Sequence, residues 1–310
     1  MDKEEYFIRE CLENDANVKE KRVNDILSNF EDITIKNFKN FDFKQVLHTS
    51  KKKKFQLKTT QIDRIEKVKD LLEVKSDIRE TIVKYCTRGF VKVQIDNIKK
   101  TQLEDLEINP FLTRMLKLET PKQALEYKIS EWLTRSISTS LGFWFEKFLI
   151  YGHDDSEFTK VKKFDAEKKK NDIQYITEIK SGPADVDAHQ MRGYNTLFNE
   201  KESTTVKPRI GWLYGKRDTG TRIGALSHAE QYLENWEERV LVGKELWEFY
   251  ADEPNYHLKV LKWMEETVAN MDIDSFIEVE KKLVEKLVPE FEKKYGKGKD
   301  GVKKFIEGSM

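Results

Sequence analysis

The sequence predicts a mixed α/β fold: a β-sheet of mixed strand direction, flanked by helices and preceded by a mainly helical N-terminal region. Three observations carry that expectation. Val161 to Pro183 alternates in the manner of a β-hairpin. Lys207 to Lys216 supplies a further strand, joined to the hairpin through a helical stretch, as a mixed sheet requires. Residues 4–30 and 62–86 place apolar side chains at helical spacing.

Taken in order, residues 4–30 read as one helix, apolar at Phe7, Ile8, Cys11, Leu12, Val18, Val23, Ile26 and Leu27. A loop-rich stretch containing Phe30, Phe38, Phe41 and Phe43 follows. The run Lys51 to Lys54 is then either a solvated loop or a contact to a phosphate backbone. After the helix ending near Cys86, Phe90 to Ile95 alternates like a short strand. Asn109-Pro110 opens a helix, proline being suited to its first turn, and Thr120-Pro121 opens another that runs to about Arg135. Ser138-Thr139-Ser140 offers a hydroxyl cap for a separate, strongly apolar helix from Leu141 to Ile150, which carries Glu146. Beyond the hairpin, Asp185 or Asp187 can cap a helix through Asn199. Leu241 to Tyr256 reads as a short strand, a helix and a turn, and Val260 to Ile306 is amphipathic with a break at 296–299.

A chain of 310 residues allows one large domain or two of ordinary size. Its 56 basic and 56 acidic residues cancel, so any contact to nucleic acid must come from local basic patches. That argues against a packaging role. Cys11 and Cys86 stand far apart with no CxxC, which argues against a disulfide scaffold, a structural zinc site and an iron–sulfur cluster. The N-terminus is charged from its second residue, and no apolar run approaches the ~18 residues of a membrane span. The expectation is a soluble cytoplasmic protein that engages no membrane.

The chemistry concentrates in the hairpin. A two-residue turn at Asn171-Asp172 sets Lys170 against Ile173, Lys168 against Tyr175, and Asp165 opposite Glu178, with Cβ atoms roughly 5 Å apart. Because side chains alternate along a strand, Glu178 and Lys180 share a face and converge with Asp165. Asp172 has the same parity but lies about 20 Å along the strand, so it belongs to the turn. Opposed carboxylates repel unless a cation compensates them, and a carboxylate set open to water suits Mg²⁺ with substrate phosphate oxygens as its other ligands. Asp165 and Glu178 are therefore the expected metal ligands, with Lys180 beside the scissile phosphate.

Asp165 followed by Glu178-Ile179-Lys180 and Ser181-Gly182 resembles the PD-(D/E)xK nuclease signature, with Phe164 where the signature has proline. The stretch Gly142 to Lys147, GFWFEK, resembles the helix that precedes the catalytic strands in that superfamily, which implies an active-site role for Glu146. Gln190 and Tyr194, four apart on one helix face, resemble the element after ExK in several of its families, which implies that Gln190 supports the site. Together with Asn109 to Leu112 and Leu241 to Tyr256, these matches run in the order found in type II restriction endonucleases. The resemblance implies a restriction-endonuclease-like fold. Residues 1–100 are then a mainly helical accessory or recognition region, 101–260 the catalytic core and 261–310 a charged helical segment. It also implies Mg²⁺-dependent, sequence-specific hydrolysis of both strands of double-stranded DNA and a cognate DNA methyltransferase in the same system; because one hairpin supplies one set of carboxylates and two strands must be cut, a homodimer is expected.

Lys216, Arg217 and Arg222, set among glycines after the Lys207–Lys216 strand, are the first candidates for DNA contact, and they lack the spacing of a nucleotide phosphate loop. Two other readings stand beside this one: a RecB-like or other PD-(D/E)xK repair nuclease, and a non-enzymatic DNA-binding protein whose hairpin is only a charged surface.

Overall fold

The computed structural model describes residues 2–45, 47–50, 53–182, 186–217 and 225–308. The N-terminal residues form α1 (Lys3–Glu10), a π-helical turn (Cys11–Asp15), α2 (Glu20–Leu27), α3 (Ile35–Asn40), the ribbon β1 (Leu47–Ser50) and β2 (Lys53–Gln56), α4 (Thr59–Leu71) and α5 (Ile78–Lys100). Helices α6 (Pro110–Met115) and α7 (Pro121–Ile150) follow. A five-stranded sheet is built from β3 (Ser156–Phe158), β4 (Ala166–Lys170), β5 (Ile173–Lys180), β6 (Val206–Trp212) and β7 (Val240–Val242), in that spatial order. Helix α8 (Ala188–Lys201) connects β5 to β6, and α9 (Ala225–Tyr232) and α10 (Trp236–Arg239) lie between β6 and β7. The chain closes with α11 (Lys244–Ala251), α12 (Tyr256–Ala269), α13 (Phe276–Tyr295) and α14 (Gly298–Glu307).

Pairing is antiparallel from β3 to β5 and parallel from β5 to β7, so the sheet is mixed, as the sequence predicts. The chain divides into two compact units, residues 1–88 with 145–269 and residues 89–144 with 270–310. These cut across a division at 100 and 260. The first unit holds the sheet. The second has its own core, in which Ile98, Leu103, Ala124, Leu125, Leu287 and Phe291 are buried.

Four local readings are corrected. Phe90 to Ile95 is helical, in the middle of α5. A strand would put Val91, Val93 and Ile95 on one face, whereas Val91 and Ile95 are buried and Val93 is 50% exposed, the pattern of a helix whose stripe continues to Ile98. Residues 121–150 form one helix, not two. Leu133, Ile137, Leu141 and Trp144 pack on one core at helical spacing, and that stripe carries the helix through the hydroxyls at 138–140. Residues 4–30 are interrupted by the π-helical turn and by Asn17 at φ 52°, a left-handed conformation no helix continues through. The helix expected over 62–86 is broken between α4 and α5.

The hairpin forms in the expected register: Ala166 pairs Thr177, Lys168 pairs Tyr175 and Lys170 pairs Ile173. Asn171 and Asp172 both take positive φ, 52° and 62°, the requirement of a type I′ turn. The two faces of β5 differ. Ile176 belongs to a core with Ile210, Trp212, Met191 and Phe198, and by alternation Glu178 and Lys180 lie on that same side. Tyr175 lies on the other, against Phe249 of α11. There α11 approaches β6 so closely that a Cβ at Gly211 would meet Leu246 at 2.6 Å.

Candidate active site

Asp165 sits immediately before β4, where its N–H donates to the Thr177 carbonyl at 3.0 Å. Phe164, in the place of the signature's proline, is buried and stacks on Phe198 at 5.8 Å. It anchors the start of the strand by packing, where proline would do so by restricting the backbone. The Asp165 carboxylate accepts from the Ile179 N–H at 2.7 Å, which ties it to the strand segment carrying Glu178 and Lys180. One Glu178 oxygen accepts from Lys180 Nζ at 2.5 Å and from the Tyr194 hydroxyl at 3.0 Å. Lys180 also lies over the Tyr194 ring, 5.9 Å from its centroid.

Glu146 reaches the same place from the last turns of α7. Its side chain is half-buried. Burial, reinforced by the charges of Asp165 and Glu178, raises its pKa from 4.5 to about 8. Burial and then the Glu178 charge lift Asp165 to about 6, against the opposing Ile179 N–H. For Lys180, burial alone would favour the neutral amine, but the hydrogen bond and charge of Glu178 outweigh it and raise the pKa. Three carboxylates and one ammonium thus share one partly dry site, in which burial and mutual repulsion favour the protonated forms of Glu146 and Asp165.

Among the described residues no three His, Cys, Asp or Glu side chains close into a ready-made metal cage. The donors present are hard carboxylate oxygens in excess charge, the set that a Mg²⁺ ion accepts when one or two carboxylates bind it and water or phosphate completes its shell. Asp165 and Glu178, with Glu146 beside them, fit such an ion.

A family model described as type II restriction endonuclease EcoO109I matches residues 72–272, a span that includes Glu146, Asp165, Glu178 and Lys180. The chain belongs to the EcoO109I family of type II restriction endonucleases. No curated protein matches it individually. Membership in the EcoO109I family makes the protein a site-specific deoxyribonuclease with DNA as its substrate. The readings as a repair nuclease or a non-enzymatic DNA-binding protein give way to it. Restriction endonucleases of this kind generally use a divalent metal.

Gln190 is exposed at the start of α8, where its amide oxygen accepts from the Asp187 N–H at 3.0 Å while Asp187 accepts from the Gln190 N–H at 2.8 Å. This is a reciprocal cap. Tyr194, one turn on, makes the contact to Glu178, and the four-residue spacing from Gln190 was the signal for it. Arg217 is engaged within the chain: it forms a forked pair with Glu245 at 2.6 and 2.9 Å, donates to the Val240 carbonyl and lies 5.5 Å from the Trp236 ring centroid. Lys216 is exposed. Arg222, Lys51 and Lys52 lie outside the described residues. Both thiols are buried and unbridged, and no helix among the described residues is long and apolar enough to cross a membrane.

Proposed function

We propose that the protein is a Mg²⁺-dependent restriction endonuclease that hydrolyses both strands of double-stranded DNA at a short specific site. The observation that carries this is the convergence of Asp165, Glu178 and Glu146 with Lys180 at one end of the hairpin. Asp165 and Glu178 hold the cation and Glu146 completes the negative side of the site. A bound Mg²⁺ supplies Lewis-acid stabilisation of the phosphate and lowers the pKa of a ligated water. Tyr194 and Lys180 fix the Glu178 carboxylate by hydrogen bonds to one of its oxygens, leaving the other oxygen for the metal. Lys180, charged and shared with Glu178, is the group placed to contact the scissile phosphate. Gln190 supports the site at one remove, through the cap that sets the start of the helix bearing Tyr194.

One chain offers one such set of carboxylates, so double-strand cleavage calls for two chains. A homodimer with two-fold symmetry presents one set to each strand of a palindromic site. Sequence-specific cutting in turn requires a cognate DNA methyltransferase in the same cytoplasm. Incubation of circular plasmid with the protein in Mg²⁺ tests the reading: discrete fragments are expected, and none in EDTA. Smearing from ends would mean an exonuclease, and cutting undiminished in EDTA would exclude the metal. Light scattering of the protein on DNA in Ca²⁺ is expected to give a dimer. A monomer, with nicks on the two strands appearing in separate events, would exclude the symmetric arrangement.

A further inference from the structure

Helix α1 lies outside residues 72–272, the span matched by the family, so membership alone assigns it no task. Its Lys3, Tyr6, Phe7 and Glu10 share one helix face, and all four meet the end of the helix that carries Glu146. The Lys3 ammonium donates to the Ile150 carbonyl at 3.0 Å, capping the C-terminal end of α7 where a cation is favoured. The Tyr6 and Phe7 rings lie 5.8 and 5.3 Å from the Tyr151 ring. Glu10 divides its carboxylate between two successive turns. One oxygen meets Lys147 Nζ at 2.8 Å, and the other accepts from the Tyr151 hydroxyl at 2.6 Å.

We propose that α1 is a positioning element of the active site: Glu10, held between Lys147 and Tyr151, sets the rotation of the last turns of α7 and so aims Glu146 at Asp165 and Glu178. The inference rests on the reading of Glu146 as part of the metal site. Successive side chains on a helix are separated by a fixed rotation, so anchoring positions 147 and 151 fixes the direction of 146. The neighbouring Phe148, Leu149 and Ile150 are buried, and apolar contacts of this kind tolerate a small rotation by repacking. Lys147 does not. Its side chain is fully buried, and a buried ammonium is admissible only in the orientation that meets its carboxylate. An ion pair placed one residue from Glu146 therefore specifies a direction that the apolar contacts leave loose.

The test is the double variant Glu10→Gln/Lys147→Met in the full chain, which removes both charges of the pair together. Thermal melting should stay near wild type. Calorimetry should show Ca²⁺ bound about 10-fold more weakly, the usual effect of losing a group that orients a metal ligand. The kcat on plasmid DNA in Mg²⁺ should fall with it while KM is unchanged. Wild-type Ca²⁺ affinity and kcat in the folded variant would overturn the proposal. If the double variant does not fold, Tyr151→Phe, which keeps the ion pair, should weaken Ca²⁺ binding in the same direction by a smaller factor, and no change there would equally overturn it. Glu146→Gln separates the two levels: if it binds Ca²⁺ as the wild type does, Glu146 is not in the metal site, and the underlying reading fails before the clamp is judged.

Discussion

Replacing Glu146 with glutamine should stabilise the metal-free protein at alkaline pH while impairing its chemistry. Burial and the neighbouring carboxylates raise this residue from 4.5 to about 8. The folded state therefore holds a proton between those two pH values that the unfolded chain releases. The sign follows: stability linked to Glu146 is complete below pH 4.5 and is lost as pH rises toward 8. A rise from 4.5 to about 8 corresponds to a penalty of about 5 kcal/mol at ~1.4 kcal/mol per tenfold change in proton affinity. Because the side chain is only half-buried and its repulsion is shared with Asp165 and Glu178, about 2 kcal/mol is the figure to expect at an effective dielectric of ~20. At about 2–4 °C per kcal/mol for a chain of this size class, the melting temperature of Glu146→Gln should rise by ~5 °C at pH 8 and hardly at all at pH 4.5. Differential scanning calorimetry in EDTA at the two pH values is the assay. An equal gain at both would mean that the amide simply packs better, and no gain at pH 8 would mean that Glu146 carries no electrostatic burden from the site.

Asp165→Ala and Glu178→Ala should abolish plasmid cleavage with folding intact, whereas Asp172→Ala should cut normally and melt slightly lower, because at φ 62° a short polar side chain that can hydrogen-bond locally is tolerated better than alanine. Loss of cleavage at Asp172 would contradict the turn assignment. Tyr194→Phe removes one of two hydrogen bonds to Glu178 and should lower kcat by about 10-fold, while Gln190→Ala should cost ~0.5–1 kcal/mol of helix stability and lower kcat by a smaller factor; an unchanged kcat in steady-state assays would remove the glutamine from the site. Lys216→Ala should flatten the slope of log affinity against log salt by about 1, and an unchanged slope would remove it from the interface. Arg217→Ala should instead lower the melting temperature and leave that slope alone, since its guanidinium is already spent on Glu245 and the Val240 carbonyl.

The sequence by itself was sufficient for the hairpin, its turn and its register, because these depend on interactions between residues close in the chain. Asn171-Asp172 tolerates the left-handed turn, alternation sorts the faces, and together they oppose Asp165 to Glu178. The order of motifs was likewise enough to point to a type II restriction endonuclease, though not to the EcoO109I family. What the sequence left open depends on contacts between distant segments. Whether Phe90 to Ile95 is strand or helix is decided by which of its valines finds a core, and the hydroxyls at 138–140 end a helix only if no core continues past them. Arg217 reads as a free cation until Glu245 folds against it. Gln190 and Tyr194 share one helix face, so spacing alone could not say which reaches Glu178. The joining of Glu146 to the hairpin, and of Glu10 to Lys147, spans long stretches of chain, and the burial that raises or pairs those charges exists only once the tertiary structure excludes water from around them.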